Sequence, residues 1–286
     1  MIQPGNNLAV VTGASRGLGR LIALELAAAG IDVLIIGRDR DALAQVMSEA
    51  QVASKAKVHP FPIDLEAPGA VDAIAERAQQ LGGASILINN AAIQGPIGAA
   101  WEVDPAAFER TMCVDFLLPV ALCRALLPGM IARGAGWVVN ISGGGATGPR
   151  PMFSAYGAAK TALVRFGETL AAEVAGRGVR VNSVAPGAFS SGMTREVVTA
   201  GVAIDAKEKQ NATQLIAKSD DTNARKAAQL VLYLVGGEGR DITGKLISAV
   251  WDPWNELHDV WKKIASTDIY TLRRIVPSDR NMTSRT

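Results

Sequence analysis

Residues 8–40, "LAVVTGASRGLGRLIALELAAAGIDVLIIGRDR", decide the fold. The apolar run 8–12 reads as a strand, 17–29 as a helix and 32–36 as a second strand. Gly13, Gly17 and Gly19 fall in the turn between the first strand and its helix, spaced G-x-x-x-G-x-G. Glycines there let backbone turn sharply and approach a pyrophosphate, whose charge the helix N-terminus can meet. Glycine-rich turns are common, so the strand–turn–helix setting carries the phosphate-binding reading.

The same alternation runs on. "KVHPFPI", "SILIN", "WVVNI", "VRVNSV" and "KLISAV" are further strand candidates, separated by helical patterns near 39–53, 67–81, 104–133, 153–176 and 222–236. Strands apolar nearly throughout, with helices between them, argue for a parallel sheet covered on both faces. The expected fold is therefore α/β, one doubly wound domain over residues 1–250. Residues 189–218 interrupt the alternation and are a candidate substrate loop or lid, and 251–286 form a C-terminal extension.

Bulk properties narrow the function. The chain has 286 residues, is 49% hydrophobic and 20% charged, and carries a net charge of +2, too small a field to imply nucleic acid or a membrane surface. Cys113 and Cys123 are the only cysteines, which points to a reducing, cytoplasmic setting. The apolar stretch "FLLPVALCRALLPGMI" is broken by Pro119, Arg124 and Pro128, against a membrane span. His59 and His258, far apart in sequence, give a histidine-based metal site or a Ser-His-Asp engine little to draw on, so no metal is expected.

The end of the second strand bears on the cofactor. An NAD site usually has an acid there for the ribose hydroxyls. Here Gly37 and Arg38 stand in its place, with Arg16 in the glycine loop. Two guanidiniums suit a 2′-phosphate, so NADP(H) is favoured and NAD(H) remains possible. The plainer reading of Arg38 is a solvated residue opening the next helix.

"TGASRGLG" (12–19), "DL" (64–65), "NNAA" (89–92), "YGAAK" (156–160) and "NSVAPG" (182–187), in this order, make the chain resemble a short-chain dehydrogenase/reductase over about residues 6–250. The resemblance implies a Rossmann-type seven-stranded parallel sheet, a nicotinamide cofactor, a small carbonyl or alcohol substrate, and a homodimer or homotetramer built through the helices at 104–133 and 153–176. It carries Ser15, Arg16 and Leu18 with the three glycines onto the phosphate loop. Asp64 and Leu65 fall beside the adenine, Asn90 and Ala91 beneath the adenine ribose, Pro186 and Gly187 at the nicotinamide, and Ser191 where a threonine often bonds the carboxamide. The family's usual glycine in the "NNAA" stretch is Ala92 here.

Chemistry supports Tyr156 and Lys160 independently. Reducing a ketone needs a proton for the developing alkoxide, which a phenol can give. Free tyrosine titrates near pH 10, so a neighbouring ammonium must favour phenolate for reversible transfer. Positions i and i+4 on a helix bring the two together. In the family the lysine also holds the nicotinamide ribose. The alternative is an ordinary surface pair.

Two positions depart from the family. Its serine lies thirteen residues before the tyrosine, which here is Gly143 in "SGGG". Ser142 is adjacent, but neighbours on an extended strand face opposite ways, so only a loop distortion would turn Ser142 or Thr147 inward. The family's helix asparagine is Asp115, a candidate relay or structural member. These departures leave two rivals to hydride transfer: a dehydratase or epimerase of an activated sugar, and a non-enzymatic NADP(H)-sensing protein.

Arg150 and Arg195 could meet an anionic substrate group or be solvated surface residues. In the tail, Trp254, Leu257, His258 and Trp261 share a helical face. That stripe is expected either to pack on its own domain or, as the favoured functional reading, to contact a neighbouring subunit over its active site.

Overall fold

The computed structural model describes residues 7–201, 204–280 and 282. The strands are β1 (Leu8–Thr12), β2 (Asp32–Gly37), β3 (Val58–Pro62), β4 (Ala84–Asn89), β5 (Gly136–Ile141), β6 (Val179–Ala185) and β7 (Leu246–Ser248). They form one parallel sheet in the order β3-β2-β1-β4-β5-β6-β7. After β3 the chain returns to place β4 beside β1, so the loops following β1 and β4 part over the strand ends. A doubly wound sheet opens its ligand crevice at such a reversal.

The helices are α1 (Gly17–Ala28), α2 (Arg40–Ala53), α3 (Ala70–Gln80), α4 (Pro105–Met112), α5 (Leu118–Arg133), α6 (Ser154–Glu173), α7 (Gly192–Thr199), α8 (Ala206–Ala217), α9 (Thr222–Gly236) and α10 (Leu257–Ile264). Asp39 caps α2 by accepting from the backbone of Asp41 and Ala42. Asp104 caps α4 in the same way. Alternation along the strands splits the core in two. Ala9, Val11, Val33, Ile35, Ile86 and Ile88 pack with α1 and α9. Leu8, Val10, Leu34, Ile36 and Leu87 pack on the other face with α3, α5 and α6.

The run 104–133, expected as one helix, is α4 and α5 joined by a π-helical turn, Cys113–Leu117. It is long and apolar enough to cross a membrane. In the fold, however, Leu122, Cys123, Leu126, Leu127 and Met130 bury one face in the core. The π turn spreads one extra residue over the helix, a distortion common at functional sites, and Asp115 lies within it.

The described residues of 189–218 are largely helical. They contain α7, capped by Ser191, and α8, capped by Asp205. Val197 and Ala212 close around the fully buried Phe153, so this segment has a small core of its own with the chain after β5.

The tail's hydrophobic stripe packs on its own domain, the plainer of the two expectations. Leu257 is buried in the main core, Trp254 lies 5.6 Å from the Tyr233 ring, and Trp261, Ile264 and Tyr270 pack alongside. The Tyr233 hydroxyl accepts from the His258 backbone. Lys245 Nζ donates to the Thr267 carbonyl and Leu246 N to that of Tyr270, so the tail closes over β7.

Candidate active site

The reversal between β1 and β4 is fastened by a threonine. Thr12 Oγ1 donates to the Ile88 carbonyl and accepts from the backbone of Asn90 and Ala91. Asn90 Nδ2 returns a bond to the Thr12 carbonyl at 2.8 Å. The glycine loop is thus held against the loop after β4 before any ligand is considered. Gly13 has φ +65°, and a Cβ there would lie 2.9 Å from Ala91 Cα. One on Gly19 would strike the Gly13 carbonyl. These glycines are required by close backbone approach, and they leave a cradle open at the N-terminus of α1.

That cradle is one end of a cleft of about 1390 Å³. Gly13, Ser15, Arg16, Gly17, Leu18 and Gly19 line it, followed by Arg38, Asp64, Leu65, Asn90 and Ala91. Its other walls include Ser142, Tyr156, Lys160, Pro186, Gly187 and Ser191. Residues chosen from seven separated stretches of sequence therefore share one cavity.

Arg38 precedes the α2 cap and is not part of the helix. Its side chain is 67% exposed, and its Nη1 lies 3.9 Å from Asp64 Oδ2. Nearby, the Arg110 guanidinium grips Glu66 through two bonds of 2.8 and 2.7 Å, which holds the Glu66 carboxyl below its ordinary range. Ser191 is already engaged, accepting from Thr194 N as the α7 cap.

At the far end Tyr156 and Lys160 share a face of α6, both buried, with Nζ 5.5 Å from the phenol ring centre. Lys160 Nζ donates to the Ile141 carbonyl at 3.2 Å and sits 3.4 Å from Asp115 Oδ2. Asp115 is fully buried and lies behind the cleft wall. Its Oδ1 accepts from Ile93 N, so one carboxylate ties Lys160 to the wall after β4. Burial pushes the Tyr156 phenol above its ordinary range; Lys160 and Arg150 pull it back and Asp115 pushes it further up. Burial also raises the Asp115 carboxyl, against the pull of Lys160.

The two departures have a physical reading. A Cβ on Gly143 would come within 2.8 Å of Tyr156 Cε1 and Cζ and closer still to the hydroxyl. The phenol occupies the space a serine side chain would need. Ser142 is 3% exposed and its Oγ has no hydrogen-bond partner among the described residues. Arg150, considered for an anionic substrate, instead bonds Glu208 of α8 and lies 3.6 Å over the Phe153 ring. Arg195 is exposed and outside the cleft lining.

Sequence reasoning passed over three residues. Thr12 stands inside the quoted motif, but its role appears only once β4 is beside β1. Asn89 donates to Asn140 Oδ1 at 2.9 Å between neighbouring strands, a pairing set by register. Gln94 is 4% exposed, lines the cleft, and its Nε2 has no partner among the described residues.

The sequence pattern of the short chain dehydrogenase family matches residues 7–201. The chain belongs to that family. This short-chain dehydrogenase is 31% identical over 251 residues to D-beta-hydroxybutyrate dehydrogenase of Rhizobium meliloti (strain 1021), covering 84% of this chain and 95% of the relative. It is 39% identical over 188 residues to galactitol 2-dehydrogenase (L-tagatose-forming) of Cereibacter sphaeroides, covering 65% and 72%. A crystal structure described as an NAD(P)-dependent gluconate 5-dehydrogenase from Beutenbergia cavernae, with NADP bound at low occupancy, superposes with a TM-score of 0.75 at 27% identity, covering 86% and 96%. The protein is accordingly an NAD(P)-dependent oxidoreductase acting on CH–OH groups.

Proposed function

We propose that the enzyme prefers NADP(H) over NAD(H) and interconverts a ketone or aldehyde with an alcohol, with Tyr156 as the acid/base. The observation that carries this reading is that Tyr156 and Lys160 open onto the same cleft as the glycine cradle. When bound, the nicotinamide supplies or accepts the hydride. Gly13, Ser15, Arg16, Gly17, Leu18 and Gly19 would hold the pyrophosphate; Asp64, Leu65, Asn90 and Ala91 the adenosine; Pro186, Gly187 and Ser191 the nicotinamide end.

The Tyr156 hydroxyl gives its proton to the substrate oxygen in reduction and takes it back in oxidation. Lys160, fixed by Ile141 and Asp115, places a positive charge beside the phenol and meets the ribose. Asp115 acts through Lys160 as a positioning residue. Ser142 is the nearest hydroxyl to the family's missing serine and would have to turn to reach a carbonyl. Residues 189–218 form the substrate wall, latched to the chain after β5 by Arg150 and Glu208.

NADP(H) preference rests on Arg38 and Arg16 lining the cleft where β2 ends without an acid. We place the contact between copies on the exposed face near Leu117, 54% exposed, beside the Phe116–Phe166 edge-to-face pair. The free Cys113 and Cys123 suit a reducing cytoplasm.

Titration with NADPH and NADH by nicotinamide fluorescence tests the cofactor assignment. A charge-assisted contact to the 2′-phosphate predicts that Arg38→Ala weakens NADPH by about 10- to 100-fold and leaves NADH nearly unchanged. Equal loss for both cofactors, or none, overturns the preference.

A further inference from the structure

The substrate end of the cleft has a chemistry of its own, and its reading rests on the proposed hydride transfer. The segments after β6 and β7 contribute Glu196, Asp205, Glu208 and Asp252 to the lining. Against these stand Arg150, already bonded to Glu208, Lys160, already held by Asp115, and the exposed Lys207. The excess is of carboxylates, which accept hydrogen bonds from hydroxyls and repel an anionic substrate.

Two further observations point to a ligand. Gln94 is buried in the wall after β4, and its Nε2 lacks a partner among the described residues; Ser142 Oγ lacks one as well. Buried polar groups are ordinarily satisfied, so both are suited to an incoming oxygen after a small side-chain movement. At the lip stands Trp251, 83% exposed, its indole left outside the tail's own packing. An exposed indole offers a broad apolar face to the C–H side of a chain or ring whose hydroxyls point elsewhere.

We propose that the substrate is a neutral polyhydroxylated compound, a polyol or sugar, bound with its hydroxyls on the carboxylates and Gln94 and its carbon face on Trp251. A hydroxyl both donates and accepts, so one chain of hydroxyls can satisfy the carboxylates and the unpartnered amide together. A hydroxy acid would bring its charge among carboxylates while the buried Lys160 and the half-buried Arg150 are already paired with Asp115 and Glu208. A short apolar alcohol would leave Gln94 unsatisfied and Trp251 bare.

The test compares oxidation of glucitol, gluconate and butan-2-ol by the full-length enzyme with its preferred cofactor. Glucitol and gluconate match in length and differ in the carboxylate; butan-2-ol lacks the additional hydroxyls. The expected result is kcat/KM for glucitol at least about tenfold above each of the others, the ratio set by one well-made contact. Trp251→Ala should raise the KM for glucitol several-fold more than it changes kcat, and Glu196→Gln should narrow the gap between glucitol and gluconate. Preference for gluconate or butan-2-ol overturns the substrate assignment and leaves hydride transfer standing. Silence towards all three, with bound cofactor demonstrated, overturns both.

Discussion

Restoring the family's serine should damage this enzyme. In Gly143→Ser the new Cβ would lie 2.8 Å from Tyr156 Cε1 and Cζ. Carbon atoms settle at about 3.5 Å or more, so the ring must retreat by about 0.7 Å. Tyr156 is buried on α6, as are Ala155 and Ala159 of the same helix, so the ring has no open space to retreat into. Overpacking of this kind costs about 1–3 kcal/mol, and a misplacement approaching 1 Å at a reacting group can cost about a hundredfold in rate. Gly143→Ala adds the same carbon without the hydroxyl and separates the two effects. Steady-state kinetics with matched thermal melts should show kcat falling about 10- to 100-fold in both variants, with serine no better than about tenfold above alanine. A serine variant faster than the parent would refute the reasoning, because it would show that the phenol does not need the glycine's space.

Other perturbations read other links. Asp115→Asn removes the charge that pushes the Tyr156 phenol upward while keeping an acceptor for Ile93 N, so the acid limb of the oxidation pH–rate profile should move to lower pH. Asp115→Ala leaves Lys160 buried without its carboxylate and should lower stability by about 3–5 kcal/mol in denaturant titration. Leu257→Ala should cost about 2–5 kcal/mol, because this tail residue is buried in the main core; an unchanged melting temperature would contradict that packing. Leu117→Arg places a charge on the proposed contact face and should lower the mass measured by light scattering to that of a monomer.

The alternation of strands and helices was legible because most strands are apolar along most of their length and each crossover helix has its own periodicity. Much of the site was legible for a related reason: its residues cluster at strand ends, where glycines, Asn90 and Pro186 stand out. Tertiary partners could not be read. Gly143 looked like a lost side chain, and only the position of the Tyr156 ring shows the space to be filled. The tail's stripe was visible, but Tyr233, which receives it, lies on α9, separated in sequence and silent about direction. Residues 189–218 broke the strand–helix alternation because α7 and α8 are short helices with no strand between them, burying little beyond Val197 and Ala212 around Phe153. Thr12 and Asn89 act across neighbouring strands, so their roles exist only in the register.

The most direct test of hydride transfer through Tyr156 is single-turnover cofactor reduction with an accepted alcohol, comparing the parent enzyme with Tyr156→Phe at saturating cofactor. Losing the acid/base group should slow the chemical step by about a hundredfold or more while cofactor affinity, read by nicotinamide fluorescence, stays within about threefold. Unchanged single-turnover rates with intact binding would contradict the account, because the phenol would then not be the proton's source or destination.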